Sequence, residues 1–160
     1  MPTILDISSA TLSLLNFLTQ PNIESSPAWE LIAGRAVQKM MPTLFHSRLQ
    51  RNLVNYINDR TDRFEAIQEL RCLVPPYSLV PDIAIVACSR LSDEDGSFNG
   101  APDWLIEIRS PDQSTLDLRV HLTFANLYKI VRFWAIDIDI SAKLRCALIL
   151  KRAQSPIRLT

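Results

Sequence analysis

The sequence predicts an α+β fold, a mixed α/β arrangement in which one central sheet is flanked by helices in the core order αβββαβ. Three observations carry this. Two stretches, 43–58 and 112–133, repeat apolar residues at helical spacing. Several short apolar runs are bounded by proline, glycine or aspartate, as strands are. These strands outnumber the crossovers that an all-parallel sheet would need. At 160 residues the chain reads as a single domain over 1–160, long enough to bury roughly 70% of its unfolded surface.

Each element has its own reason. Apolar residues at 12, 14, 15, 17 and 18 suit a short helix over Leu12–Leu18, which ends before Pro21 because the residue preceding a proline avoids helical backbone. "WELIAGRAVQKM" alternates around Gly34 and reads as a hairpin, since glycine accepts the positive φ of a tight turn. After Pro42-Thr43, apolar residues at 45, 49, 53, 54 and 57 give the first long helix, Thr43 to Asn58, with His46 in its first turn. "FEAIQELRCLV" and "YSLVPDIAIVACS" read as strands separated by Pro75-Pro76, and "SDEDGSFNGAP" as a surface loop. "DWLIEIR" is the next strand. "DQSTLDLRVHLTFANLYKIVRF", with apolar residues at 116, 120, 124, 127 and 131, is the second long helix, followed by strands "WAIDIDI" and "LRCALIL".

Composition narrows the function classes. Seventeen basic residues balance seventeen acidic ones, so no net field draws the chain to nucleic acid or an anionic membrane, and any such contact needs a local patch. Cys72, Cys88 and Cys146 are odd in number and widely spaced in apolar surroundings, which suits free thiols in a reducing, cytoplasmic compartment. The opening "MPTILDISSATLSLLNFLTQP" has no basic start and is broken by Asp6 and serines, so neither a signal peptide nor a membrane helix is expected.

The chemistry lies in the acids. Asp82 heads "IAIVA" after Pro81, and Glu107 stands inside the following strand "DWLIEIR". If those strands are neighbours, two carboxylates converge on one sheet end and offer a hard-cation site. Pro-Asp also occurs at 102–103 and 111–112, so position must decide. Asp103 lies on the strand of Glu107 itself, and Asp112 suits a helix start. From the pattern alone Glu107 keeps two readings: a solvated strand face shared with Asp103, Leu105 and Arg109, or a metal ligand. His46 reads as a helix-surface or satisfied histidine or as a catalytic one, and Glu30 and Glu69, in strand-like apolar runs, are equally open. Arg71, Arg90 and the group Lys143, Arg145, Lys151 and Arg152 read as solubilising charge, and the aromatic residues as core.

Across "AWELIAGRAVQKMMP", "HSRLQ", "ELRC", "VPDIAIVA" and "APDWLIEIRSPDQST" the sequence resembles the PD-(D/E)xK nuclease superfamily and, within it, the Uma-type restriction endonucleases. These stretches run in consistent order from Pro27 to Thr115. The resemblance implies a restriction-endonuclease-like fold and a Mg²⁺- or Mn²⁺-dependent site that hydrolyses DNA phosphodiester bonds. It implies Asp82 and Glu107 as the metal ligands, with Glu30, His46 and Glu69 around the same cleft, and so favours the ligand reading of Glu107.

The sequence departs from the pattern at the lysine and at the glycine that usually precedes the next strand, which is absent here. The superfamily's lysine, two residues after the acid, is Arg109 here, and a guanidinium that stays protonated stabilises phosphate charge but is no general base. The helix stretch offers Arg119, His121 and Lys129 as other basic residues. The alternative to an endonuclease is a catalytically silent binding or scaffold domain, and the two divide on whether a positive side chain reaches the Asp82–Glu107 end of the sheet. Cutting both strands of a duplex takes two sites, which a homodimer would supply.

Overall fold

A computed structural model describes residues 11–109 and 132–137. Helix α1, Leu14–Leu18, starts where the Ser13 hydroxyl accepts from the amide of Asn16. Strands β1, Trp29–Ile32, and β2, Arg35–Gln38, form the expected hairpin with Ile32 opposite Arg35. Its two-residue turn puts Ala33 at φ +48° and Gly34 at φ +76°, the doubly positive backbone of a type I′ turn. Glycine is required at position 34 for a second reason, because a Cβ there would lie 2.0 Å from the Thr11 Cγ2. Helix α2, Leu44–Asn58, is capped by Thr43, whose side chain accepts from the amide of His46 at 3.2 Å.

The two expected long strands each divide. The first becomes β3, Phe64–Gln68, and β4, Cys72–Val74; the second becomes β5, Tyr77–Leu79, and β6, Ile83–Ala87. Glu69, expected inside a strand, instead occupies the turn after β3 at φ +48°, and Pro81 has no N–H to give to a ladder. At these two points the chain passes between sheets, so the single sheet expected from the sequence is two. One has the order β2-β1-β5-β4-β7, where β7 is Phe98–Asn99 within the expected surface loop; the other has the order β3-β6-β8-β9, with β8 Trp104–Arg109 and β9 Arg132–Asp137. In the second sheet β6 runs antiparallel to both β3 and β8, while β8 and β9 pair in parallel, which makes a mixed sheet within the α+β class. Parallel neighbours need a crossover connection. The helix expected over 112–133 lies outside the described residues except at its end, where Arg132 and Phe133 belong to β9 and not to a helix. The strand "LRCALIL" and Cys146 also lie outside them.

The core of the mixed sheet is where α2 lies on it. Ala66, Ile83, Ile85 and Ile106 pack against Leu49, Leu53, Val54 and Ile57 of α2, and the Phe64 and Trp104 rings stack with centroids 5.7 Å apart. Asn58 closes the helix against the edge strand by accepting from Ala66 N at 2.7 Å and donating to Ala66 O at 3.0 Å, in the manner of another strand's peptide. Ala84, Val86 and Leu105, on the opposite pleat, are also buried, so β6 and β8 carry apolar side chains on both faces. Among the described residues no helix is long and apolar enough to cross a membrane.

Two residues read as surface charge have structural roles. Arg71 is buried, donating to Ser78 Oγ at 2.7 Å, to the carbonyls of Trp29 and Ile23 at 2.9 and 3.0 Å, and to the Glu24 carboxylate. It ties the segment before β1 to the five-stranded sheet. Arg90 pairs with Asp103 at 2.9 Å and donates to Ala101 O, holding the loop before β8. Cys88, expected in apolar surroundings, is exposed in the 3-10 turn Cys88–Arg90, whereas Cys72 is buried.

Arg71→Met is expected to lower stability by about 3 kcal/mol, because hydrogen bonds to a charged donor are each worth more than neutral ones and Ser78 and two carbonyls lose theirs. Urea unfolding measures this, and a loss below about 0.5 kcal/mol would mean that water or a rearranged partner replaces the guanidinium.

Candidate active site

The site forms where the chain leaves β5 for β6. Val80, Pro81 and Asp82 bridge the two sheets, and their peptide groups find partners on side chains from three other elements. Glu30 of β1 accepts from Val80 N at 2.7 Å, Lys39 just beyond β2 donates to Val80 O at 2.6 Å, and Gln50 of α2 donates to Asp82 O at 2.6 Å. The amide of Glu69 also donates to Asp82 O, at 3.2 Å. The crossover is thereby held from the hairpin, the helix and the turn at once.

Asp82 lies at the centre with 3% of its surface exposed. Its Oδ1 accepts from Lys39 Nζ at 2.8 Å and its Oδ2 from the amide of Ile108 at 2.7 Å, while His46 Nε2 lies 3.5 Å from Oδ2. Ile83 pairs with Ile106 in the β6–β8 ladder, so one step further along the register brings Asp82 beside Glu107. Glu107 is 5% exposed, and the solvated-face reading therefore falls. Its burial comes from its position, between the fully buried Ile106 and Ile108 on a strand covered on both faces.

Charge at the site is set by Lys39. Burial alone would lower the basicity of its ammonium, yet Asp82, Glu107 and Glu30, in that order of influence, together raise it well above the usual lysine range. Burial would likewise raise the Asp82 carboxyl, but Lys39 and His46 hold it well below the usual carboxylate range. Lys39 is thus a fixed cation, not a base, with three acids in its field.

Of the residues singled out from sequence, Asp82, His46 and Glu69 line one cleft with Lys39, Met40 and Pro42. His46 is buried, not on the helix surface. Glu30 and Glu107 enter the same electrostatic cluster through Lys39. Arg109 ends β8, where its backbone is in register with Asp137, and its side chain lies outside the described set. Lys39 and Gln50 were not foreseen. Gln50 follows His46 by four residues on the helix, a spacing that shares a face, while Lys39 occupies the open end of the hairpin one ladder step past Gln38. The oxygens of Asp82 and Glu107 are hard donors of the kind that bind Mg²⁺, which needs only one or two protein carboxylates beside water and phosphate. Among the described residues no group of three His, Cys, Asp or Glu side chains forms a ready metal cluster.

The ion pair sets a pH dependence on both flanks. The depressed Asp82 contributes stability that is present above the unfolded aspartate pKa of about 3.9 and is lost as pH falls toward its folded value. The raised Lys39 contributes stability present below the unfolded lysine pKa of about 10.4 and lost as pH rises beyond it. Asp82→Asn is expected to cost about 3 kcal/mol at neutral pH, since it leaves a buried ammonium with a weaker partner, and to flatten the acid flank. Denaturant unfolding from pH 3 to pH 10 measures both, and an acid flank as steep as in wild type would assign it to other carboxyls.

The chain matches the model of the Uma2 family, described as "Putative restriction endonuclease", over residues 15–139. It is also similar to a crystal structure of "a putative nuclease belonging to DUF820 from Anabaena variabilis ATCC 29413", with 37% identity and a TM-score of 0.70 over 79% of this chain and 74% of that one. No curated protein matches the chain. The family match spans the hairpin, α2 and both sheets that assemble the Lys39–Asp82 cluster, and this chain belongs to the Uma2 family, a nuclease family by both descriptions.

Proposed function

We propose that this protein is a metal-dependent endonuclease that hydrolyses DNA phosphodiester bonds, with Asp82 and Glu107 as metal ligands and Lys39 in place of the basic residue that the PD-(D/E)xK pattern puts after its acid. The observation that carries this reading is the buried ammonium of Lys39, 2.8 Å from Asp82 and within the field of Glu107 and Glu30. A bound Mg²⁺ or Mn²⁺ would supply a nucleophilic water and neutralise phosphate charge.

The chain's own residues do the remaining work in this reading. Glu30 and Gln50 fix the Val80–Asp82 backbone, so the Asp82 carboxylate does not move when charge enters the cleft. His46 Nε2, 3.5 Å from Asp82 Oδ2, is within reach of a water on that carboxylate and orients it. Lys39, always protonated, stabilises charge on a phosphate oxygen and takes no proton. The duplex is cut on both strands by the two sites of a homodimer.

Purified protein is expected to nick or cut plasmid DNA with Mg²⁺ or Mn²⁺ and not with EDTA. Glu107→Gln should reduce that rate by a factor of about 100 or more while the variant stays folded, because the change removes a ligand but keeps the shape. Cleavage equal in wild type and Glu107→Gln would point to another site, and a wild type inactive with every divalent ion would favour a silent nuclease-fold scaffold.

A further inference from the structure

Lys39 and Arg71 are both buried cations, and they are held differently. Arg71 is clamped by Ser78, Trp29, Ile23 and Glu24. Lys39 has Val80 O and Asp82 Oδ1 at 2.6 and 2.8 Å, sits on the wall of the cleft and keeps a side chain 13% exposed. Met40, which lines the same cleft, and Met41 are both exposed, and a lysine's four-carbon stem is flexible.

The point that Nζ occupies is itself a cation position, made by one carbonyl and one carboxylate oxygen with two further acids in its field. Both oxygens are hard donors that a small divalent ion accepts as well as an ammonium does. The other Asp82 oxygen takes the amide of Ile108, a hydrogen bond of the sheet framework, so exchange at Oδ1 leaves that contact in place, and the only backbone contact it gives up is the Lys39 bond to Val80 O. A divalent ion and an ammonium on one oxygen would be only a few ångströms apart and would repel strongly in a buried setting.

We propose that the Lys39 ammonium is an exchangeable placeholder: a divalent cation displaces it from between Val80 O and Asp82 Oδ1, and the freed ammonium swings into the cleft, where it meets the phosphate. This rests on the metal-dependent reading and adds to it a third protein ligand, the Val80 carbonyl, and a moving lysine. The arrangement neutralises the acids when metal is absent and delivers the positive side chain to the substrate only once the metal is in place.

The test uses the full chain and two readouts that do not depend on cleavage. Calorimetric titration with Mg²⁺ is expected to show at least tenfold tighter binding by Lys39→Met than by wild type, because the variant has no competing ammonium. In wild type, acetylation of Lys39 followed by mass spectrometry is expected to rise several-fold on saturation with Mg²⁺, a measurement that does not require the variant to fold. Equal Mg²⁺ affinity in the two proteins, or Lys39 reactivity unchanged at saturation, overturns the exchange while leaving the metal site standing. Absence of Mg²⁺ binding in both overturns the metal site and the exchange with it.

Discussion

The structure turns on three residues, Val80, Pro81 and Asp82, which must carry the chain from one sheet to the other through the interior. A peptide group buried without a partner costs about as much as a lost hydrogen bond, and Pro81 removes any regular ladder solution. The partners come from Glu30, Lys39 and Gln50, which are polar or charged and would be poor choices for a core built for stability alone. Once they are drawn in to satisfy the backbone, their charges face one another, and the carboxylate of Asp82 acquires an ammonium, a histidine and a strand amide as neighbours. The electrostatic cluster is thus a by-product of a topological need that the sequence meets with ionisable side chains.

That choice carries a stability cost. Replacing a buried ion pair by packed apolar residues is often neutral or stabilising, and here the Lys39–Asp82 pair is buried beside two further acids, Glu30 and Glu107. Local rules of foldability are broken at sites that do chemistry and kept elsewhere. The contrast within this chain supports the point. Ile83, Ile85 and Ile106 meet Leu53 and Ile57 in an ordinary apolar contact, while Glu30, Lys39, Asp82 and Glu107 gather where the chain crosses between the sheets. Arg71, a buried charge elsewhere, is held by neutral acceptors and an exposed carboxylate.

Local signals made much of the fold legible from the sequence. Thr43 before an apolar period gives α2 its start, and Ala33-Gly34 gives the hairpin its turn, each within one residue of the structure. What failed was continuity: "FEAIQELRCLV" alternates well enough to pass for one strand, since nothing in side-chain periodicity marks Glu69 as a residue at positive φ. The switch between sheets is a tertiary event, and the short pairing of β4 with β7 has too few residues to show a period. At the site, Asp82 and Glu107 could be expected as cross-strand neighbours only on the condition that their strands pair, and the β6–β8 ladder supplies that pairing. Lys39 could not, since a lysine after a hairpin strand is solvent-facing in most proteins, and only the return of the chain at Val80 buries it.

Lys39 also shows why sequence position and chemical position come apart in this fold. A basic group two residues after the acid on the same strand is delivered by the pleat, whereas Lys39 arrives from the hairpin, far from Glu107 in sequence but next to Asp82 in space. The constraint that matters is a positive charge near the paired carboxylates, and any element that passes the sheet end can provide it. An arginine, as at position 109, keeps a fixed charge and is ill suited to proton transfer. Since Glu30, Lys39 and Gln50 hold both the backbone crossover and the charges, changes at these positions mix folding and chemistry. Glu107, whose backbone position is secured by the β6–β8–β9 ladders independently of its carboxylate, is the residue at which the two separate.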